Sequence, residues 1–543
     1  VNPTPATNKP DASQDPEATA VPSGHAAGLA AFVGIGPGDE GLLTLRAAEL
    51  LARADVVVGR AELTGRLAHR LRPGADVVEA ADPEQDAKAL IRAAKAGQVA
   101  VRVCTGDPLL FSRAGRQADM CAKAGIRLEI VPGVSAATAV PAFAGIPLTA
   151  DTGGMRVMHA SDVSQVDGPV PGSLVILGAE SGPIDVAKML MAAGWADTTP
   201  LAITWNGTTT DQHTVVSTLG SVAADLKAAG VSVLTEYGPA TAVVGAAAAH
   251  EGLSWFESKP LFGWRVLVPR TKEQAASVSE RLRSHGAVPE EVPTIAVEPP
   301  RTPQQMERAV KGLVTGRYQW IAFTSVNAVR AVREKLEEYG LDARAFAGVK
   351  VAAVGEQTAA SLAEFGIKPD LVPDGEQSSE GLAAAWPPFD DVLDPINRVL
   401  LPRADIATET LVARLTDLGW EAEDVTAYRT VRAAPPPAPI REAIKSGGFD
   451  AVLFTSSSTV RNLIGIAGKP HAVTAIAVIG PQTAQTAAEY GLRVDVMAPK
   501  ASATALVEAL AEHGARLREA AIAAGEPVRK PSERRRGARR RLR

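Results

Sequence analysis

The C-terminal half of this 543-residue chain contains one pattern twice. The first copy, Val351 to Gly366, reads V-A-A-V-G-E-Q-T-A-A-S-L-A-E-F-G, and the second, Ile476 to Gly491, reads I-A-V-I-G-P-Q-T-A-Q-T-A-A-E-Y-G. Gly355, Gln357 and Thr358 match Gly480, Gln482 and Thr483 at one offset, and Gly366 matches Gly491. In each copy a short apolar run, the length of a buried strand, meets a glycine, and an Ala-rich helix then runs to a second glycine. A helix that starts at a strand end leaves its first N–H groups without intrahelical partners, aimed beyond the strand. A duplicated end of this kind predicts two similar α/β lobes on either side of a cleft.

Two further pairs keep the same order. V-L-V-P-R, ending at Arg270, is echoed by V-L-L-P-R, ending at Arg403. I-A-F-T-S, with Thr324 and Ser325, is echoed by V-L-F-T-S, with Thr455 and Ser456. Each buried strand thus delivers a polar cluster at its C-terminal end, where open α/β sheets bind ligands. The Thr-Ser pairs also sit where a helix N-cap is expected. Pro-rich stretches at 297–303 and 434–439 read as connectors. The chain is expected to begin lobe one over about 264–303, build lobe two over about 304–428, and finish lobe one over about 429–513.

The N-terminal half has a different grammar. Residues 1–26, rich in Pro, Ala, Ser and Asp, read as a disordered lead-in, and a domain is expected over 27–252. Its strands are predicted at Ala30–Val33, Ala54–Val58, Val99–Cys104, Leu128–Val131, Leu174–Leu177 and Leu201–Trp205. The first ends in G-I-G-P-G-D, the third in T-G-D-P, the fourth in P-G-V-S-A-A and the last in N-G-T-T. Pro37 and Asp39 break the G-x-G-x-x-G pattern, which argues against a dinucleotide site. Residues 253–263 read as a linker broken by Pro260, with Trp255 and Phe256 expected to dock on a neighbouring domain. Residues 514–543 read as a basic tail: nine Lys or Arg against one Glu lie between Arg529 and Arg543, while the whole chain nets -5.

Composition removes several classes. No apolar run is long enough to span a membrane. The first residues lack a basic-then-apolar signal pattern, so the cytoplasm is expected. Cys104 and Cys121 have no spacing for zinc or a redox pair, and no metal site is expected. Few aromatics and no basic helix argue against nucleic-acid binding. A two-lobed sugar- or amino-acid-binding module would fit the duplication, but such proteins are commonly exported.

The spaced motifs of Gly28 to Ala248 resemble the tetrapyrrole (corrin and porphyrin) methyltransferases that use S-adenosylmethionine, the uroporphyrinogen-III C-methyltransferases among them. The resemblance implies two α/β subdomains with the cofactor folded between them, at Pro37, Thr105, Gly106, Asp107, Leu110, Ser135, Ala136 and Gly207. It also permits a homodimer through this domain. Several positions depart from the family. Gly59 to Leu63 reads G-R-A-E-L where an Asp is usual, Val77 to Ala81 lacks a Lys, Thr149 to Asp151 lacks a His, and Leu177-Gly178 replaces Tyr-Met. The expected fold and pocket are kept while the acid–base set is altered.

The C-terminal half resembles uroporphyrinogen-III synthase over its whole length, through Arg270, Thr324-Ser325, Gly355 to Thr358, Pro402-Arg403, Tyr428, Thr455-Ser456 and Gly480 to Thr483. The resemblance implies two α/β lobes, no cofactor, and closure of hydroxymethylbilane to uroporphyrinogen III with inversion of the last ring. Helix starts and hydroxyls suit a highly carboxylated substrate. Tyr428 is the candidate acid for the leaving hydroxyl. Arg270 and Arg403 are candidate carboxylate contacts. The expected function is therefore twofold, synthesis of uroporphyrinogen III and its methylation in the sirohaem and cobalamin branch, with synthase activity alone as the second expectation.

Overall fold

The structure, a computed structural model, describes residues 28–534 apart from 81, 113, 150–152, 180–181, 230–237, 251, 271 and 408. The expected lead-in and the last residues of the basic tail lie outside the described residues. The chain forms two compact units, Val1–Phe262 and Gly263–Arg543.

The first unit holds two sheets. One carries β1 (Leu29–Gly34), β2 (Val56–Gly59), β3 (Asp76–Glu79), β4 (Val99–Cys104) and β5 (Arg127–Val131), all parallel, in the order β3-β2-β4-β1-β5. Parallel strands flanked by helices are buried on both faces, so β1 reads as a continuous apolar run. Its alternate residues divide between two cores: Ala31 and Val33 join Leu50, Leu51 and Val101, while Ala30 and Phe32 join Leu90, Cys104 and Cys121. Both cysteines are free and buried, and burial pushes the Cys104 thiol up to about 11. The other sheet carries β6 (Met155–His159), β7 (Ser173–Leu177), β8 (Pro200–Trp205), β9 (His213–Thr218) and β10 (Ala240–Val244), in the order β6-β7-β10-β8-β9. Here β6 and β7 are parallel, and β10 runs antiparallel to both β7 and β8. Trp205, Leu174, Ile176 and Leu190 fill its core.

The second unit also holds two sheets. Lobe one carries β11 (Arg265–Val268), β12 (Val288–Glu291), β18 (Ala451–Phe454), β19 (Ala475–Val478) and β20 (Val496–Met497), all parallel, in the order β12-β11-β18-β19-β20. Lobe two carries β13 (Ile295–Glu298), β14 (Trp320–Phe323), β15 (Lys350–Ala353), β16 (Arg398–Ala404) and β17 (Glu421–Arg432), in the order β13-β17-β16-β14-β15. The chain therefore leaves lobe one, builds lobe two and returns. The two crossings pair with each other, β13 running antiparallel to β17 from Ile295↔Arg432 to Glu298↔Arg429. Lobe two's sheet thus begins at Ile295, ahead of the residue-304 boundary expected from the prolines.

The last helix, Ala503–Ala523, starts at the N-cap Ser502 and runs past residue 514, where the basic tail was expected to begin. Leu506, Val507, Leu510, Ala511 and Gly514 keep a buried helical stripe across that point. Beyond it, Ser532 N–H donates to Asp450 Oδ1 at 2.9 Å and Lys530 Nζ to the Gly263 carbonyl at 3.2 Å. Among the described residues no helix is long and apolar enough to cross a membrane, and no group of three His, Cys, Asp or Glu could hold a metal ion.

Candidate active sites

In the first unit four loops meet at the C-terminal edge of the parallel sheet. After β1 and β4, Gly106 N–H donates to the Gly36 carbonyl at 2.9 Å, and Gly36 N–H returns the bond at 3.4 Å. The loop after β5 packs on both: a Cβ on Gly133 would lie 2.0 Å from the Gly106 carbonyl oxygen. Asp107 fastens the corner, its Oδ1 accepting from Leu109 N–H at 2.8 Å and its Oδ2 from Gly133 N–H at 3.1 Å. Ser135 caps the helix Ala136–Phe143 by accepting from Ala137 N–H. The fourth loop, after β8, lays Gly207 against that helix, where a Cβ would meet both Val140 methyls at 2.5 Å. Asp39 N–H donates to Thr208 Oγ1 at 3.0 Å, tying the first loop to the fourth.

Pro37, Thr105, Gly106, Asp107, Leu110, Ser135, Ala136 and Gly207 therefore lie in loops that are in contact. Among the described non-glycine residues positive φ occurs only there: Phe111, Asn206 and Thr208 hold φ of 53°, 48° and 71°. Such conformations cost on the order of 1–3 kcal/mol each and persist where neighbours enforce them. Leu109, Leu110 and Phe111 form an exposed apolar lip. Beside it a cavity of about 610 Å³ is lined by Arg60, Asp82, Asp86, Arg102, Cys104 and Thr105, among others. Its two carboxylates are engaged. Asp82 caps a helix at Glu84, and buried Asp86 accepts from Gln117 Nε2 at 3.1 Å and pairs with Arg102 at 3.3 Å.

In the second unit Tyr428 lies in β17 with its ring in the lobe-two core. Its hydroxyl stands 2.9 Å from Ser325 Oγ. Ser325 caps the helix Val326–Glu338, accepting from Ala328 N–H at 3.1 Å, and Thr324 precedes it at the end of β14. The twin, Ser456, caps Ser457–Ala467 in a reciprocal pair with Thr459, next to Thr455. Arg270 lies just past β11, where partial burial lowers its pKa, and no side-chain ion pair is found for it among the described residues.

Other expected contacts are placed differently. Arg403, expected to grip a substrate carboxylate, is 4 % exposed and held internally. Its Nε donates to Asp424 Oδ1 at 2.6 Å, and its Nη2 donates to Asp424 Oδ2 and, at 3.2 Å, to Glu409. Donation to the Asp424 carboxylate raises its pKa. The cause is register: Arg403 pairs with Thr426 across parallel β16 and β17, and Asp424, two residues earlier, shares that face. Thr358 and Thr483 are also buried, whereas Gln357 and Gln482 are exposed. The duplicated helix starts are not equivalent. Gln377 Oε1 accepts from Glu356 N–H at 3.3 Å beside Gly355, while a Cβ on Gly480 would meet nothing within 4 Å.

Two family descriptions match the two units: Tetrapyrrole (Corrin/Porphyrin) Methylases over residues 31–223, and Uroporphyrinogen-III synthase HemD over residues 276–508. The Porphyrin biosynthesis protein HemD of Ruminiclostridium josui is 31% identical over 510 residues, covering 90% of this chain and 98% of that protein. The chain belongs to the HemD family of fused tetrapyrrole methylase and uroporphyrinogen-III synthase units. The Uroporphyrinogen-III C-methyltransferase of Bacillus subtilis is 28% identical over 371 residues, 64% of this chain and 74% of that protein. Siroheme synthase 1 of Yersinia enterocolitica is 34% identical over 254 residues, and the chain spans 52% of its length.

Within the methylase unit, sequence reasoning passed over Asn206, Thr208, Gln212 and Glu257. Only the turn-like N-G-T-T pointed near them. Trp255 and Phe256 do dock, but on their own unit: Phe256 meets Phe143 edge-on at 4.7 Å, and Trp255 Nε1 donates to the Ala142 carbonyl at 2.9 Å. The departure at Gly178 also has a local meaning. A Cβ there would lie 2.5 Å from His159 Nε2, so the missing side chain makes room for that imidazole.

Proposed function

We propose that the chain cyclises hydroxymethylbilane to uroporphyrinogen III in its second unit and methylates uroporphyrinogen III with S-adenosylmethionine in its first. The Tyr428–Ser325 pair at the lobe-two strand ends is the observation that carries the synthase half. Ser325 already accepts from Ala328 N–H, so its own proton is free to point at the Tyr428 oxygen. The phenol then keeps its proton for the hydroxyl that leaves as water when the bilane's terminal C–O bond breaks. Arg270, partly buried and without an ion pair among the described residues, is a fitting partner for a substrate carboxylate. Thr324, Thr455, Ser456, Gln357, Gln482 and the open helix start at Gly480 complete the proposed substrate contacts. The Gly355 start, covered by Gln377, contributes less.

The methylase half is supported by the contact among glycine-bearing loops around Gly34, Gly106, Gly133 and Gly207. A Cβ at Gly34, Gly133 or Gly207 would collide with the neighbouring loop or helix, so these glycines let the loops pack against one another at the sheet's C-terminal edge. The residues there fit S-adenosylmethionine: exposed Leu110 offers apolar surface, and Asp107 retains lone pairs beyond its two internal bonds. The cofactor, when bound, supplies an electrophilic methyl group. The second reading, a synthase with a non-catalytic methylase-like unit, is favoured by one observation: both carboxylates of the adjoining cavity, Asp82 and Asp86, are occupied internally.

One assay separates the readings. Full-length protein is given hydroxymethylbilane with and without S-adenosylmethionine, and product masses are read. Macrocycle without methyl gain in either arm supports the second reading. Absence of the inverted macrocycle rejects both.

A further inference from the structure

We propose that Glu257, in the segment that closes the first unit, is a positioning residue for the contact between the loops 35–39 and 206–209. The inference rests on the reading of those loops as part of an S-adenosylmethionine site. Glu257 Oε1 accepts from Gln212 Nε2 at 2.9 Å and from Thr214 Oγ1 at 2.6 Å, and its Oε2 accepts from Thr214 N–H at 3.3 Å. Gln212 is 3% exposed, and its carbonyl oxygen accepts from Thr208 N–H at 2.8 Å. Thr208 is 1% exposed, and its hydroxyl accepts from Asp39 N–H. One line of hydrogen bonds therefore runs from Glu257 through Gln212 and Thr208 to Asp39.

The direction of that line is set by charge. A carboxylate only accepts, so the Gln212 amide must turn its NH2 toward Glu257 and its oxygen toward Thr208. A flipped amide would set NH2 against the Thr208 N–H and oxygen against the carboxylate, losing both bonds. Glu257 thereby selects the one amide orientation that holds Thr208 at a φ of 71°, a conformation a β-branched residue adopts only under constraint. The same segment braces the helix on which Gly207 packs. Trp255 bonds the Ala142 carbonyl near the end of the helix that begins at Ala136, and a Cβ on Gly145 would meet the Leu253 carbonyl oxygen at 2.3 Å. The two loops, joined between Asp39 and Thr208 across 169 residues of sequence, are thus held in register by a segment outside both.

The test uses the full chain with Glu257→Ala, Glu257→Gln and, as a control on the other anchor, Trp255→Phe. Amide hydrogen exchange without ligand reads the Asp39 and Thr208 N–H bonds directly. Calorimetry with S-adenosylhomocysteine reads the proposed cofactor site. In Glu257→Ala both amides exchange about tenfold faster and the Kd rises about tenfold, the scale of one lost hydrogen bond. Glu257→Gln, which keeps the shape and an acceptor oxygen, falls between, and Trp255→Phe leaves the two amides protected. Wild-type exchange at Asp39 and Thr208 in Glu257→Ala overturns the proposal, as does a wild-type Kd. If the wild-type protein binds no S-adenosylhomocysteine, the cofactor reading fails, and the positioning role falls with it whatever the exchange shows.

Discussion

Replacing Tyr428 by Phe removes one oxygen and almost nothing else. The ring is packed in the lobe-two core at 7% exposure, and Phe fills the same volume, so no cavity opens. The lost partner is Ser325 Oγ, which keeps its cap bond to Ala328 N–H. One neutral hydrogen bond at a partly exposed serine is worth about 0.5–1.5 kcal/mol. In a unit of this size that lowers Tm by only about 2–4 °C. The rate should respond on another scale, because a positioned general acid contributes typically about 10²-fold or more. The expected result is a near-native melting curve with formation of uroporphyrinogen III reduced about a hundredfold. Hydroxymethylbilane is supplied, and inverted and uninverted macrocycles are separated chromatographically. Ser325→Ala should lose less rate, about tenfold, because the phenol remains but its proton is no longer directed. A Tyr428→Phe rate within twofold of wild type, with the fold intact, would refute the acid role.

Three further outcomes follow from the geometry. Arg403→Leu should destabilise the synthase unit by about 2–3 kcal/mol in urea, since it removes charge-assisted bonds from a buried guanidinium; a loss confined to substrate affinity would contradict this. Gly133→Ala should weaken S-adenosylhomocysteine binding by about tenfold or more in calorimetry, because its Cβ would collide with backbone rather than a flexible side chain. Cys104 holds its proton in the folded state up to about 11 against an ordinary 9.0, chiefly through burial. Its contribution to stability is therefore fully present below pH 9 and is lost as pH rises toward 11, by about 2–3 kcal/mol. Subtracting the pH–stability curve of Cys104→Val should reveal that slope, and identical slopes would sink the assignment.

The sequence made the buried parallel strands readable because both faces are apolar: β1, β4 and β8, and every strand of the duplicated motifs, lie within a residue or two of their predicted spans. It hid β3 and β9, which are sheet edges with little apolar signal. It also hid β10, whose Ala-Val composition suits a helix as well as a strand. The loop residues that meet in the methylase unit were found as glycines and hydroxyls at strand ends. Their support was not, since Glu257 and Gln212 are 45 residues apart and neither lies in a motif. The internal pairing of Arg403 is hidden for a similar reason: no pattern in the strand that carries Asp424 places that carboxylate on the same face. Duplication, too, conceals difference, for only the structure distinguishes a covered start at Gly355 from an open one at Gly480.

The pairing of β13 with β17 bears on how the synthase unit is made on the ribosome. Lobe two is contiguous in the chain and can fold as soon as Arg432 has emerged. Lobe one cannot, because β11 must wait for β18, across the pairing Val266↔Ala451. A disordered loop of that length would make the closure slow and entropically costly. A folded lobe two instead brings Ile295 and Arg432 side by side and leaves only short tethers to either partner. Lobe two thus acts as the clamp on which lobe one is completed, and nascent chains released before β18 should present an exposed β11 edge that is prone to association.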